Sequence, residues 1–256
     1  YHSDIVKQKN ILKIYAPLMN RFLKSVSRIV AASPNYVATS TTLRKFAHKV
    51  SVIPYGLDEK SYPTPTLERL ELWKNKFGPR FFLFVGAFRY YKGLHILIEA
   101  AKDSSYPIII VGAGPIELEL KKQTEELKVE NIHFLGAVSD EDKAALLLLC
   151  YAVVFPSHLR SEAFGITLLE GAMYGKPLIS SEIGTGTTFI NVDQHTGIVV
   201  PPSDPAALRV AMDKLWDNVE LSEEFGHNAR NRYLENFTCE KMVSSYIDLY
   251  NEIIDK

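Results

Sequence analysis

The feature that constrains the fold most is a regular alternation of apolar and amphipathic segments that starts near residue 81. Continuous apolar runs occupy residues 81–88, 106–114, 131–138, 152–157, 176–182 and 196–202. Segments with helical periodicity lie between or after them, at residues 93–103, 115–128, 139–149, 165–175 and 204–216. Apolar strands without polar alternation are typical of a parallel sheet covered on both faces. The sequence therefore predicts a doubly wound α/β domain, with ligands at the carboxyl ends of its strands.

Composition argues against several other classes of protein. The 256 residues carry a formal charge of −1, so the chain has no overall basic field that would attract nucleic acid. Cys150 and Cys239 are far apart and the histidines lack metal-ligand spacing, which predicts neither a disulfide framework nor a metal site. The longest apolar run, residues 144–155, is too short to cross a membrane. We expect a cytoplasmic protein that needs no metal.

Residues 5–30 form a basic segment with roughly helical periodicity. The segment contains no Asp or Glu, and its cations are Lys7, Lys9, Lys13, Arg21, Lys24 and Arg28. Pro17 is predicted to divide it into two helices. Such a segment suits an anionic membrane surface or an acidic partner, but the solvated face of a surface helix has the same pattern, and both interpretations stay open. Because the chain starts at Tyr1 without Met, we expect a piece of a longer protein.

A smaller β-α-β pattern precedes the large one. Strands are predicted at residues 27–33 and 49–58, with a helix between them at residues 33–46 that opens with a Ser cap and Pro at its first position. Pro63 and Pro65 mark the segment that follows as a linker.

The loop after the first strand of the large domain predicts a diphosphate site. Gly86 lets the backbone approach a ligand closely, while Arg89 and Lys92 place cations at the mouth of the sheet. Two solvated cations before a helix would give the same pattern, so this loop does not decide the matter alone.

The loop after the second strand argues against a dinucleotide. It contains Gly112 and Gly114, but Glu117 replaces the third glycine of the GxGxxG motif. A carboxylate there would lie beside the pyrophosphate that the motif should hold. A tight strand-to-helix turn explains the two glycines, and a nicotinamide or flavin site is not expected.

The most informative stretch is "RSEAFGITLLEGAMYGKP", which follows the strand at residues 152–157. It places Glu162 in a loop and Glu170 about two helical turns into the next helix. The helix amides from Gly165 to Thr167 can hold a phosphate, and two separated carboxylates suit the hydroxyls of a sugar and a ribose on either side of a diphosphate.

These residues together resemble the retaining glycosyltransferases of the GT-B fold, family four, also called glycosyl transferases group one. The resemblance rests on "VGAFRYYKG", "EAFGITLLE" and "GAMYGKPLISS", and it covers nearly the whole chain. It implies that Glu162 contacts the donor sugar, that Glu170 contacts the nucleotide ribose and that Lys92 holds the diphosphate. The further donor-binding candidates at these two loops are Gly86, Phe164, Gly165, Ile166 and Thr167. The family commonly has Arg where this chain has Ala87, and Arg89 is the candidate substitute.

The resemblance also suggests a base and a second catalytic candidate. In "FLGAVSDEDK" the backbone of Val138 would lie at the edge of the base, and Lys143 would face a guanine carbonyl, which favours GDP over UDP. "YHSDIVKQK" resembles the end of the N-terminal domain, where the family places a His beside the donor sugar, so His2 is the candidate. The resulting division is residues 1–56 as part of an N-terminal, acceptor-side domain, 57–68 as linker, 69–237 as donor domain and 238–256 as a helix that crosses back.

The expected function is retaining transfer of a hexose, with mannose favoured, from a nucleotide sugar to a glycan or lipid-linked acceptor in polysaccharide synthesis. No cofactor or metal is expected, and peripheral contact with the inner face of an anionic cytoplasmic membrane is considered. A sugar phosphorylase or a nucleotide-sugar epimerase would use the same fold. A non-catalytic sugar-nucleotide-binding fragment is the third alternative.

Overall fold

The computed structural model describes the backbone of residue 1 and residues 9–255, and the side chains of residue 1 and residues 15–255. Within these residues the chain forms two parallel sheets, one of two strands and one of six. None of the helices in the described part is both long and apolar enough to cross a bilayer.

The smaller sheet is formed by strands that lie between residues 29 and 52. Helix α1 (Lys9–Ser25) leads to strand β1 (Ile29–Ala31), and helices α2 (Pro34–Thr39) and α3 (Thr41–Arg44) connect it to the parallel strand β2 (Val50–Val52). This confirms the predicted β-α-β order. The predicted single helix is divided because Ser40 caps both pieces: its N–H donates to Tyr36 O, and its Oγ accepts from Leu43 N.

The prediction that Pro17 divides the basic segment into two helices is wrong. Pro17 lies inside the continuous helix α1. An interior proline removes one backbone hydrogen bond and strains the preceding turn, at a cost of about 3 kcal/mol. Met19 and Leu23 pack against β1 and α2 in a common apolar cluster, and this packing fixes the half of the helix that follows the proline.

The larger sheet confirms the predicted doubly wound architecture. Its strands are β3 (Phe82–Val85), β4 (Ile108–Val111), β5 (Ile132–Gly136), β6 (Ala152–Phe155), β7 (Leu178–Ser181) and β8 (Gly197–Val200). All neighbours are parallel, and the order across the sheet is β5-β4-β3-β6-β7-β8. The chain winds outward from β3 to β5, returns to β6 and winds outward the other way. The switch point between β3 and β6 is where such sheets bind ligands.

Helices cover both faces of the larger sheet. They are α4 (Leu67–Phe77), α5 (Leu94–Ala101), α6 (Glu117–Glu126), α7 (Asp140–Leu149), α8 (Ile166–Met173), α9 (Thr187–Ile190), α10 (Pro205–Asp217), α11 (Val219–Asn236) and α12 (Cys239–Ile254). One apolar cluster joins the sheet to α5 and α10, and the other joins it to α4, α7, α8 and α11. Helices α4, α9 and α11 were not predicted from the sequence.

Residues 57–62 and helix α12 connect the two sheets. Leu57 N donates to Phe237 O over 2.9 Å, Cys239 N donates to Leu57 O over 3.0 Å, and the Tyr233 hydroxyl donates to the same Leu57 carbonyl over 2.9 Å. At the far end of α12, Glu252 forms an ion pair with Arg28. The segment predicted to be a linker is thus held against the larger lobe at its start.

Candidate functional site

The loops after β3 and β6 meet at the switch point of the larger sheet. Nζ of Lys92 lies 2.5 Å from Oε2 of Glu162, and the Ser157 hydroxyl donates to the same carboxylate oxygen over 3.2 Å. Only 13% of the Lys92 side chain and 11% of the Glu162 side chain are exposed. The structure therefore brings together the cation and the first carboxylate that the sequence predicted for one site.

The β3 loop is fixed by its backbone contacts with the β6 loop. Gly93 has φ +73°, and a Cβ there would lie 2.0 Å from the Pro156 carbonyl oxygen, so the two loops approach too closely for any other residue. His158 N donates to Tyr91 O over 3.0 Å. Lys92 is the last residue of the 3-10 turn Tyr90–Lys92, so these contacts determine where its side chain begins.

Two histidines pack behind this turn. The His158 ring lies 5.0 Å from the ring of His95 and 5.0 Å from that of Tyr90, and its Nε2 is 3.0 Å from the Tyr90 carbonyl oxygen. Its Nδ1 is 2.9 Å from Oγ of Ser203 in the loop after β8. Burial lowers the pKa of both histidines below the ordinary value of 6.5, and the mutual repulsion of the two rings lowers that of His95 further.

The amino end of α8 lies beside the β3 loop. Gly165 caps the helix with φ +103° and brings no side chain to the first amides, which have no partner within a helix. The Thr167 hydroxyl donates to Val85 O over 2.9 Å and so ties the first turn of α8 to the end of β3. This end of α8 can accept an anion at the switch point.

The second carboxylate lies further along α8 and is also paired. The Tyr62 hydroxyl donates to Oε1 of Glu170 over 2.9 Å, and Nζ of Lys143 lies 3.1 Å from the same oxygen. Glu170 is 6% exposed. Next to this group is an open cavity of about 230 Å³, lined by Ser61, Tyr62, Pro63, Asp140 and Lys143. Burial is the main cause that raises the pKa of the Tyr62 phenol, and the negative charge of Glu170 raises this pKa further. The phenol therefore stays protonated.

The other predicted donor-binding residues contribute in different ways. Phe164 is 2% exposed and its ring packs edge-on against Tyr55 and Phe237, so only its backbone is available to a ligand. The Ile166 side chain is exposed. Val138 is partly buried against the apolar cluster on the α7 and α8 face of the sheet.

The predicted residues near the start of the β3 loop are less closely tied to the carboxylates. Gly86 donates its N–H to Val111 O over 3.0 Å, as the extension of β3 along β4. Arg89 is exposed, precedes the 3-10 turn and forms no salt bridge within the described part of the chain. The structure therefore gives no contact by which Arg89 replaces the arginine absent at Ala87. His2 lies outside the described residues.

The glycines after β4 have a structural explanation. A Cβ on Gly112 would lie 2.0 Å from the Gly86 carbonyl oxygen, and one on Gly114 would lie 2.3 Å from that of Phe88. Glu117 pairs with Lys121 one turn along α6, at 2.7 Å. These glycines let the β3 and β4 loops pack together, as the tight-turn interpretation requires.

Sequence reasoning missed three residues that shape the site. Ser157 and Tyr62 each hydrogen-bond one of the two carboxylates, and His158 holds the loop that carries Lys92. Ser157 and His158 directly follow β6, and their position at a strand end was a usable signal. Tyr62 gave none, because it lies in a proline-rich segment 108 residues before its partner.

The assembled site offers both hydrogen-bond donors and acceptors. Lys92 and the α8 amides can bind a diphosphate, while Glu162, which pairs with Lys92, and Glu170, further along α8, can accept hydrogen bonds from hydroxyl groups. Within the residues whose side chains are described, no group of three or more His, Cys, Asp or Glu residues is placed to hold a metal ion.

Comparisons of sequence identify similar proteins. Residues 70–232 match the family described as "Glycosyl transferases group 1". The chain is 63% identical over 239 residues to the D-rhamnosyltransferase WbpZ of Pseudomonas aeruginosa, covering 93% of this chain and 63% of that protein. It is 54% identical over 255 residues to the O-antigen chain mannosyltransferase C of Escherichia coli, covering 100% of this chain and 68% of that one. The chain thus spans about two thirds of the length of these relatives.

Comparisons of structure find the same fold. Sucrose-phosphate synthase from Thermosynechococcus elongatus matches with a TM-score of 0.85 and 23% identity, over 100% of this chain and 67% of that chain. Anabaena Alr3699/HepE, solved in complex with UDP and glucose, matches with a TM-score of 0.79 and 22% identity, over 96% and 67%. This likeness confirms the predicted GT-B fold class.

Proposed function

The chain belongs to the glycosyl transferases group 1 family, and on that premise we propose that it carries the donor site of a retaining glycosyltransferase. The donor is a nucleotide sugar, with GDP-mannose favoured, and the acceptor is a glycan or lipid-linked glycan in polysaccharide synthesis. The observation that carries the proposal is the pairing of Lys92 with Glu162 beside the open end of α8, with Glu170 further along the same helix.

In this proposal the diphosphate lies against the α8 amides and Nζ of Lys92. The bond between the anomeric carbon and the phosphate oxygen breaks, and the negative charge that develops on the leaving group meets donors that are already in place. The acceptor hydroxyl forms the new glycosidic bond on the same face of the sugar, and its proton passes to the departing diphosphate oxygen. Glu162 holds a hydroxyl of the donor sugar, and His2 is the candidate residue beside that sugar. We assign the neutralisation of the leaving-group charge to Lys92 and the α8 amides, and we expect no metal requirement.

Lys92 has a second contact that supports its role. Its Nζ lies 4.6 Å from the centroid of the Phe155 ring at the end of β6, so an aromatic face and a carboxylate hold the ammonium in place. A lysine held on both sides loses little side-chain entropy when a phosphate arrives. Among the residues whose side chains are described, none holds exposed Arg89 in this way, and we assign it a smaller part in diphosphate binding.

The base is assigned from the cavity beside Glu170. Nζ of Lys143 lies at this cavity and can donate to a guanine carbonyl, whereas the partly buried Val138 offers its backbone. This favours GDP over UDP. The similarity to an O-antigen chain mannosyltransferase favours mannose as the transferred sugar and a growing surface polysaccharide as the acceptor.

Contact with a membrane is proposed for α1. This helix exposes Tyr15, Leu18 and Phe22, which lie three and four residues apart, together with the cations Arg21 and Lys24. An apolar stripe flanked by cations suits the anionic inner face of a cytoplasmic membrane. Replacing Arg21 and Lys24 by Gln should reduce binding to vesicles that contain anionic lipid, and unchanged binding would remove this part of the proposal.

The proposed function is tested by calorimetric titration of this chain with GDP, UDP, ADP and GDP-mannose, with and without EDTA. We expect GDP and GDP-mannose to bind, UDP and ADP to bind more weakly, and EDTA to have no effect. Preferential binding of UDP would overturn the assignment of the base. Absence of binding to all four ligands would contradict a working donor site in this chain.

A further inference from the structure

Tyr62 stands in the segment that the sequence marks as a linker, yet its side chain is held firmly. The segment is fixed to α11 before it reaches Tyr62, because Leu57 shares hydrogen bonds with the start of α12 and with Tyr233, and Glu59 pairs with Arg230 at 2.7 Å. The Tyr62 ring then packs edge-on against that of Tyr174, with 6.3 Å between the centroids. The chain therefore delivers the Tyr62 hydroxyl to a defined place.

That place is one oxygen of Glu170. Within residues 15–255, both hydrogen bonds to the Glu170 side chain, from the Tyr62 hydroxyl and from Nζ of Lys143, end on Oε1. A carboxylate can accept several hydrogen bonds, so Oε2 keeps its capacity for a ligand. With Oε1 anchored, the carboxyl group cannot rotate freely and Oε2 points in a fixed direction.

A ribose presents two neighbouring hydroxyls, and a fixed carboxylate oxygen binds them better than a rotating one, since less rotamer freedom is lost. We propose that Tyr62 is a positioning residue for recognition of the nucleotide ribose: it orients Glu170 through Oε1 so that Oε2 accepts from the ribose hydroxyls. This inference rests on the proposed function, because it requires a nucleotide at Glu170.

Lys143 alone does not fix Glu170 in the same way. Its side chain is 25% exposed, and its Nζ also lies 3.8 Å from Oδ1 of Asp140, so it is shared between two carboxylates. A tyrosine has fewer rotatable bonds than a lysine and is fixed here by its ring contact. The raised pKa of the phenol keeps the proton that it donates to Glu170 over the working pH range.

The test compares ligands that differ only at the ribose. Calorimetry should measure GDP and 2′,3′-dideoxy-GDP binding to the wild-type chain and to Y62F. We expect Y62F to weaken GDP by about tenfold, the worth of a hydrogen bond to a charged group, and to change dideoxy-GDP by less than twofold. Y174F is the matched control, because the Tyr174 ring packs on Tyr62 while, within the described residues, its hydroxyl forms no hydrogen bond with the Glu170 carboxylate; it should leave both ligands unchanged.

A second comparison distinguishes positioning from general damage to the fold. On an E170Q background, Y62F should cause no further loss of GDP affinity, because the group it orients has already been altered. Equal weakening of both ligands by Y62F, or additive effects of Y62F and E170Q, would overturn the inference. If the wild-type chain binds GDP while Y62F binds it equally well, only this inference fails; a wild-type chain that binds no nucleotide contradicts the proposed function itself.

Discussion

Nζ of Lys92 and Oε2 of Glu162 are 2.5 Å apart at the carboxyl end of the sheet, with both side chains mostly buried. The proposed sugar-binding carboxylate is therefore the partner of the proposed phosphate-binding lysine. A donor diphosphate that binds Lys92 must share it with Glu162, and within the pair each side chain compensates the charge of the other.

The first prediction concerns stability. Replacing Lys92 by Met should lower the free energy of unfolding by about 2 kcal/mol or more, because it leaves the Glu162 carboxylate buried without its cation. The double variant K92M/E162Q should recover part of this loss. Urea unfolding measures both, and K121M serves as control, since Lys121 pairs with Glu117 on an exposed face of α6 where ion pairs contribute less than about 1 kcal/mol. A double variant that is no more stable than K92M would contradict the coupling.

The second prediction separates the roles of the two carboxylates. If Glu162 contacts the donor sugar and Glu170 the ribose, as proposed, E162Q should spare free GDP and weaken GDP-mannose, whereas E170Q should weaken both ligands by about tenfold or more. Calorimetric titration of each variant with both ligands provides the measurement. Equal effects of E162Q on GDP and GDP-mannose would refute the division.

The third prediction compares two glycines with nearly equal, positive φ angles. Gly136 has φ +70° and open space around a Cβ, whereas Gly93 has φ +73° and would place a Cβ 2.0 Å from the Pro156 carbonyl oxygen. G136A should cost about 1–3 kcal/mol, the strain of the positive φ alone. G93A should cost clearly more and should also weaken GDP binding, since it displaces the turn that carries Lys92. Equal losses of stability in urea unfolding would show that the close approach of the two loops is unimportant.

The fourth prediction concerns pH. Because burial lowers the pKa of His158 in the folded state, the unfolded chain takes up the proton first as pH falls below about 6.5, and stability decreases from there downward. H158Q should make the loss of stability between pH 7.5 and pH 5.5 smaller, although its stability at pH 7.5 should also be lower. Replacement of the exposed His48 by Gln is the control. An unchanged pH dependence in H158Q would contradict the burial of a neutral His158.

The sheet and its ligand-binding end could be predicted because each apolar run and each strand-end loop is a local signal. The long helix α11 could not, since its sequence is mostly polar and Gly226 interrupts it. That glycine is required because α11 passes so near the Gly175 carbonyl that a Cβ would lie 2.3 Å from the oxygen. The single helix through Pro17 depends likewise on packing that the local pattern does not show.

The candidate site, like the fold, could be predicted from the sequence only in part. Glu162, Lys92 and the start of α8 follow from spacing and resemblance, and the structure brings them together. Which residue holds each carboxylate depends on contacts between distant parts of the chain. Charge and spacing gave no reason to connect Tyr62 with Glu170, and only the folded path of residues 57–62 does so.

The position of Tyr62 affects how such proteins can be recombined. The family match begins at residue 70, so a chimera joined there would transplant Glu170 and leave its tyrosine behind. If Tyr62 orients Glu170 as proposed, such a chimera would bind its nucleotide more weakly, even though it retains every residue of the family match. A junction placed before Leu57 would keep the carboxylate, the tyrosine and the α11 anchor of the segment in one inherited unit.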